Sequence, residues 1–171
     1  MICFAPAQGI AARANYENPP IAYSKTAPVD AISRLQNRFA ATGIADAEDE
    51  LEILRMLLAE LEIPISSQLL VFSRTSLQRD RISPKNPRAI YYSDTYYVGW
   101  VPGGLIEITT IDPQLEPVFY AIDPRKPARA SGLKFQRESD CLRCHGGHFV
   151  RGIPGVFARS VFPDSTGEPI F

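Results

Sequence analysis

Residues 89–123 read "AIYYSDTYYVGWVPGGLIEITTIDPQLEPVFYAID". Aromatic and β-branched residues dominate, interrupted by two clusters of turn formers, "PGG" (102–104) and "PQLEP" (113–117). Such residues fit a pleated, half-buried surface, and short runs of them between tight turns predict an antiparallel meander. "AIYYSDTYYVGWV" (89–101) reads as one long strand or two short ones, followed by strands "LIEITTID" (105–112) and "VFYAID" (118–123). Asp112 and Asp123 close two of these strands just ahead of Pro113 and Pro124, and both read as turn formers rather than catalytic groups.

Working outward, "QLLVFSRT" (68–75) predicts a strand, and "RDRISPKNPR" (79–88) a basic, proline-bearing loop. Residues 15–28 form a proline-punctuated, extended lead-in. Residues 30–41 have the period of an amphipathic helix, with Ile32, Leu35 and Phe39 on one side and Gly43 ending it. Residues 46–61 make the strongest helix prediction: acidic residues open it, Leu51, Leu54, Leu58 and Leu61 form its stripe, and Pro64 follows. Downstream come a loop at 124–140 and a strand "GVFARSVF" (155–162) with "PDSTGEP" as its turn. The expected fold is α+β: two N-terminal helices, then an antiparallel sheet of about four or five strands.

The chain has 171 residues, 45% hydrophobic and 22% charged, as expected for one folded domain or one domain with a tail. The net charge of −1 argues against broad, phosphate-driven nucleic-acid binding. No apolar run approaches the roughly 18–20 residues that span a bilayer, so no transmembrane segment is expected. There is no internal repeat and no nucleophile elbow, phosphate loop or paired-carboxylate constellation. Residues 1–14, "MICFAPAQGIAARA", read either as an N-terminal arm or as a signal-peptide remnant, because Ala12-Arg13-Ala14 resembles an A-x-A cleavage site.

Chemistry concentrates in "SDCLRCHGGHFVRG" (139–152), which holds two of the three cysteines and both histidines. Cys141-Leu142-Arg143-Cys144-His145 matches C-x-x-C-H, the pattern of covalent haem attachment. Two thiols at this gap match the separation of the haem vinyl groups, and the adjacent histidine reaches the iron. The reading therefore makes Cys141 and Cys144 the covalent haem attachments and His145 the axial iron ligand, with haem c as cofactor. A zinc site is the alternative: Cys141, Cys144 and His148 offer C-x2-C-x3-H, three of four ligands, with Cys3, His145 or another chain supplying the fourth. A dithiol redox pair fits less well, because the flanks "SDC" and "GGH" do not resemble a strand leading into a helix.

For the sixth iron position, Met1 is terminal, Met56 sits nearly opposite the leucine stripe of its helix, and His148 reads as a polar loop histidine. The expectation is an open or weakly occupied position. Haem propionates call for arginine, and Arg143, Arg151, Arg159, Arg74, Arg79, Arg81 and Arg88 are candidates. Tyr91, Tyr92, Tyr96, Tyr97 and Trp100 could wall a haem pocket, though as strand residues they read first as packing.

"RISPKNPRAIYY", "YVGW" and "CLRCHGG…RGIPG" carry a resemblance, covering roughly residues 16–171, to a family of exported bacterial proteins labelled as containing a cytochrome c domain. The resemblance implies a covalent haem on Cys141 and Cys144, His145 as ligand, export to the periplasm, and an unidentified redox partner protein. It implies no substrate. Family members run on past the point where this chain stops, so 15–171 reads as a haem-binding domain truncated at its C-terminus. More loosely, the order of helices, sheet and haem-attachment loop resembles PAS-like haem sensor domains, an architectural analogy. Electron transfer is the first functional expectation, a haem-based sensor or small-ligand-binding module the second, and a structural zinc domain the third.

Overall fold

The computed structural model describes residues 15–42, 49–125, 134–156 and 161–170. The fold is α+β, built on one six-stranded antiparallel sheet in the sequential order β1 to β6. The strands are β1 (Leu69–Val71), β2 (Arg88–Tyr92), β3 (Tyr96–Trp100), β4 (Ile106–Asp112), β5 (Glu116–Ile122) and β6 (Gln136–Arg137). The sequence expectation of four or five strands was short of this. Residues 89–101 split into two strands around Ser93-Asp94-Thr95, with Ser93 N–H donating to Tyr96 O at 3.0 Å. The two-residue β6, inside the stretch expected to be loop, adds the last strand. At the front, the strand expected over 68–75 shrinks to Leu69–Val71. The basic loop contains a 3-10 turn, Arg79–Arg81.

The turns behave as their residues dictate. Gly103 takes φ 71, and Gly104 N–H donates to Val101 O at 2.8 Å, a type II turn that needs glycine at its third position. At the next turn, Asp112 is buried; its Oδ1 accepts from Gln114 N at 2.8 Å and Leu115 N at 3.0 Å, and its Oδ2 from Val29 N at 2.7 Å. The carboxylate thus holds the β4–β5 turn and the start of the chain together. Asp123 is likewise a turn residue, accepting from Arg125 N.

Helix α1 spans Ala31–Thr42 and α2 spans Glu50–Glu60. Asp30 caps α1 by accepting from Ser33 N at 2.8 Å, while the side chain of Phe39, expected on its apolar stripe, lies outside the described residues. Asp49 caps α2 from an extended conformation, so this helix starts later than the 46–61 period suggests. Ile53, Leu54, Leu57 and Leu58 of α2 join Ile32 and Leu35 of α1 in one core with Val98, Ile106, Ile108 and Val118 of the sheet.

Strand alternation divides the sheet into two faces. The register places Tyr91, Val98, Ile106, Ile108, Tyr120 and Ile122 on the inner face, toward the helices. Tyr120 Oη donates to Asp30 Oδ2 at 2.6 Å, which ties the cap of α1 to this face. The outer face carries Ile90, Tyr92, Tyr97, Gly99, Glu107, Thr109, Phe119 and Ala121. Along β4 the burial alternates, but in β5 every residue from Pro117 to Ile122 is buried. Both faces of β5 are therefore covered, the outer one by the segment that follows it.

The strand expected over 155–162 falls partly on residues 157–160, outside the described set. Its described end forms a small hairpin, β7 (Phe162–Pro163) with β8 (Pro169–Ile170). Arg74 N–H donates to Gly167 O at 2.7 Å, docking that hairpin beside β1.

Candidate functional site

The segment covering β5 contains the cysteine motif. Ser139 O and Asp140 O accept from Leu142 N and Arg143 N, nucleating a short helix, α3 (Leu142–His145), with Cys141 at its N-terminal boundary. Cys144 N and His145 N both donate to Cys141 O, at 3.2 and 2.9 Å. Cys141, Cys144 and His145 are thus spaced i, i+3 and i+4 along one helical turn. Leu142 is buried in the core. Gly146 ends the turn against Tyr16: a Cβ there would lie 2.7 Å from Tyr16 Cε1. Only glycine fits between the motif and the lead-in.

His145 is held from two sides. Its ring packs against Phe119, with centroids 4.9 Å apart. Its Nδ1 lies 3.1 Å from Gly155 O. A carbonyl can only accept, so Nδ1 is the protonated nitrogen and the lone pair sits on Nε2. Gly155 N–H donates back to His145 O at 2.8 Å, closing a two-way clasp. Burial, reinforced by the Arg88 charge, lowers the pKa of His145, and the hydrogen bond to Gly155 offsets this in part. The ring is therefore held in its neutral, metal-binding form.

The two cysteines differ. Cys144 is exposed and Cys141 half-buried, and both are free thiols. Burial, with the carboxylates of Glu107 and Glu138 adding to it, pushes the Cys141 thiol up to about 12. Cys141 is thus a neutral thiol. A neutral thiol can add across a vinyl group to leave an uncharged thioether. Among the described residues no group of three or more His, Cys, Asp or Glu side chains is gathered as a metal cage would need. His148 is exposed on a separate 3-10 turn, His148–Val150; Cys3 lies outside the described residues.

Of the arginines considered for propionates, Arg88 is the one whose charge reaches both Cys141 and His145. It lies on the outer face and pairs with Glu107. Arg74 and Arg79 are tied to Glu168 of the hairpin instead. Arg143 is largely exposed and meets Asp140 at 3.4 Å. Arg81 stands beside the Gly103-Gly104 turn, Arg151 is exposed, and Arg159 lies outside the described residues.

The aromatic candidates separate by register. Tyr92 and Tyr97 share the outer face with Phe119, whereas Tyr91, Tyr96 and Trp100 lie on the inner face and belong to or pack against the core. Met56 belongs to α2, on the helical side of the sheet, and His145 lies on the other side. Met56 is therefore no partner for an iron held by His145. Phe119, Glu107 and Gly155 escaped the sequence reading. Phe119 and Glu107 reach the motif only through strand register, and Gly155 through a loop closure that no local pattern announces.

Comparison of the chain with protein-family models, curated proteins and solved structures finds no match.

Proposed function

We propose that this chain is an exported c-type haem protein that carries one covalent haem on Cys141 and Cys144, with His145 as the axial ligand, and that it transfers electrons in the periplasm. The observation that carries the reading is the clasp on His145. A neutral imidazole with Nδ1–H on a backbone carbonyl and Nε2 as the basic nitrogen is what haem ligation requires. It stands on the same helical turn as two thiols that are not joined to each other. The residues fit the group: the thiols would anchor it, His145 would bind the iron, Phe119 would fix the ring and Arg88 would supply positive charge nearby. The haem, when bound, supplies one-electron chemistry. The PAS-like analogy stays at the level of one antiparallel sheet followed by a ligand-bearing loop, since the strand order here is a plain meander.

A second reading, a sensor or small-ligand-binding module, is favoured by the position of Met56 behind the sheet. An iron with a labile sixth ligand binds small molecules, whereas one with two strong ligands mainly shuttles electrons. Carbon monoxide separates the two. A ferrous spectrum that carbon monoxide leaves unchanged supports electron transfer; rapid formation of a carbonyl adduct supports ligand binding. An intact mass equal to the bare polypeptide, after production with c-type maturation, would remove both.

A further inference from the structure

Among the described residues the outer face is covered over β5 and largely covered along the row of Arg88 and Glu107, with side chains 21% and 12% exposed, whereas its edge at Tyr92, Tyr97 and Ile111 is exposed. Tyr92 is 47% exposed, Tyr97 40% and Ile111 46%. Register aligns Tyr92, Tyr97, Thr109 and Phe119 in one row across four neighbouring strands. The row begins under the ring of His145 and ends in two tyrosines whose rings stack with centroids 6.4 Å apart. At roughly 4.8 Å between strands, it runs about 14 Å. The two exposed, stacked tyrosines, with exposed Ile111 on the same face, leave apolar surface for a ligand beside the motif.

The neighbouring row holds a charge. Gly99 stands between Ile90 and Glu107, and a Cβ at 99 would fall 2.3 Å from Arg88 Nη2. Without a side chain at 99, the guanidinium lies flat on the sheet and pairs with Glu107. Arg88 Nε is buried beneath the pair, but a fifth of the side chain stays exposed, 21%, so part of the guanidinium can still meet a ligand. The exposed part of the face thus offers aromatic surface bordered by the Arg88–Glu107 pair, whose guanidinium can share a second carboxylate at the edge of a flat apolar macrocycle.

Resting on the haem reading above, we propose that this exposed part of the outer face is the seat of the haem, with Tyr97 and Thr109 against the macrocycle and Arg88 facing its propionates. Continuity with Cys144 and His145 selects this occupant, because a group tethered to α3 and bound to His145 sits at the start of the row.

The test compares the wild-type chain with haem attached and the same chain made without c-type maturation, by tetranitromethane nitration read peptide by peptide. Tyr23 and Tyr120, both buried, stay unreactive in both forms and confirm folding. The expected result is nitration of Tyr97 slowed at least several-fold by the haem. Equal rates at Tyr97 in a chain whose haem is demonstrably attached would overturn the seat and leave the haem reading standing. Protection in both forms that disappears on dilution would assign the face to a second copy of the chain and overturn the seat. A preparation that takes up no haem would overturn the reading and the seat together. As an independent readout, Arg88→Gln should shift the reduction potential to more negative values and Arg88→Lys should restore it; an unshifted potential would remove Arg88 from the site.

Discussion

Asp112 shows how much one side chain can organise. Its burial works against the charged form, but three backbone N–H donors, on Gln114, Leu115 and Val29, more than offset that and hold its carboxyl below the usual carboxylate range. A carboxyl with a lowered folded pKa adds stability that is present above its unfolded value, about 4, and is lost as pH falls through the folded value. Asp112→Ala is therefore expected to cost about 2–4 kcal/mol at pH 7, since it leaves buried donors unpaired. The difference from wild type should shrink as the pH is lowered toward 3, measured by urea unfolding across that range. A constant difference would contradict the assignment. Gly146 is a second such position. Gly146→Ala would drive a Cβ to within 2.7 Å of Tyr16 Cε1 and 3.1 Å of Leu142 O. The expected cost is about 1–3 kcal/mol, read as a lower urea midpoint with an unchanged m-value.

Helix α2 rests on its buried side more than on its ends. Leu57 is completely buried, so Leu57→Ala should cost about 2–5 kcal/mol. Asp49 caps the helix through one 3.3 Å bond from Leu51 N, so Asp49→Ala should cost only about 0.5–2 kcal/mol. Thermal or urea unfolding that ranks the two in the opposite order would show that the cap, not the core face, anchors this helix. At this scale the sequence was legible where period and turn chemistry are strong. Leu54 and Leu58 announced α2, Pro102-Gly103-Gly104 announced the β3–β4 turn, and Asp112 announced the next. It was illegible where pairing is made by distant partners. Gln136–Arg137 is too short to carry a period and becomes β6 only because β5 offers it an edge. The stretch expected as strand over 68–75 leaves the sheet after Val71, where Arg74 N–H docks the β7–β8 hairpin at Gly167 instead. The spacing of Cys141, Cys144 and His145 is local and stands in the sequence as written, and the structure places them on one short helical turn. The surroundings of the motif were not legible: Phe119 and Glu107 lie in strands more than twenty residues away and meet the motif only through the register.

Taken as a molecule, the chain uses the two faces of its sheet differently. Helices α1 and α2 bury the inner face, and among the described residues the motif segment covers the outer face of β5 and leaves Tyr92, Tyr97 and Ile111 exposed. No helix among the described residues is long and apolar enough to cross a membrane. The two thiols, the oriented imidazole and the aromatic row all belong to the outer side, away from Met56. The proposed function stands or falls on a covalent haem at Cys141 and Cys144, which a pyridine haemochrome spectrum detects. The protein would be produced with a signal peptide in a host that has the c-type maturation machinery, beside its Cys141→Ala/Cys144→Ala variant. The expected result is the α band of a c-type haem in the wild type, resistant to acid-acetone extraction, and its absence from the variant. A colourless wild-type protein, or one holding stoichiometric zinc, would contradict it.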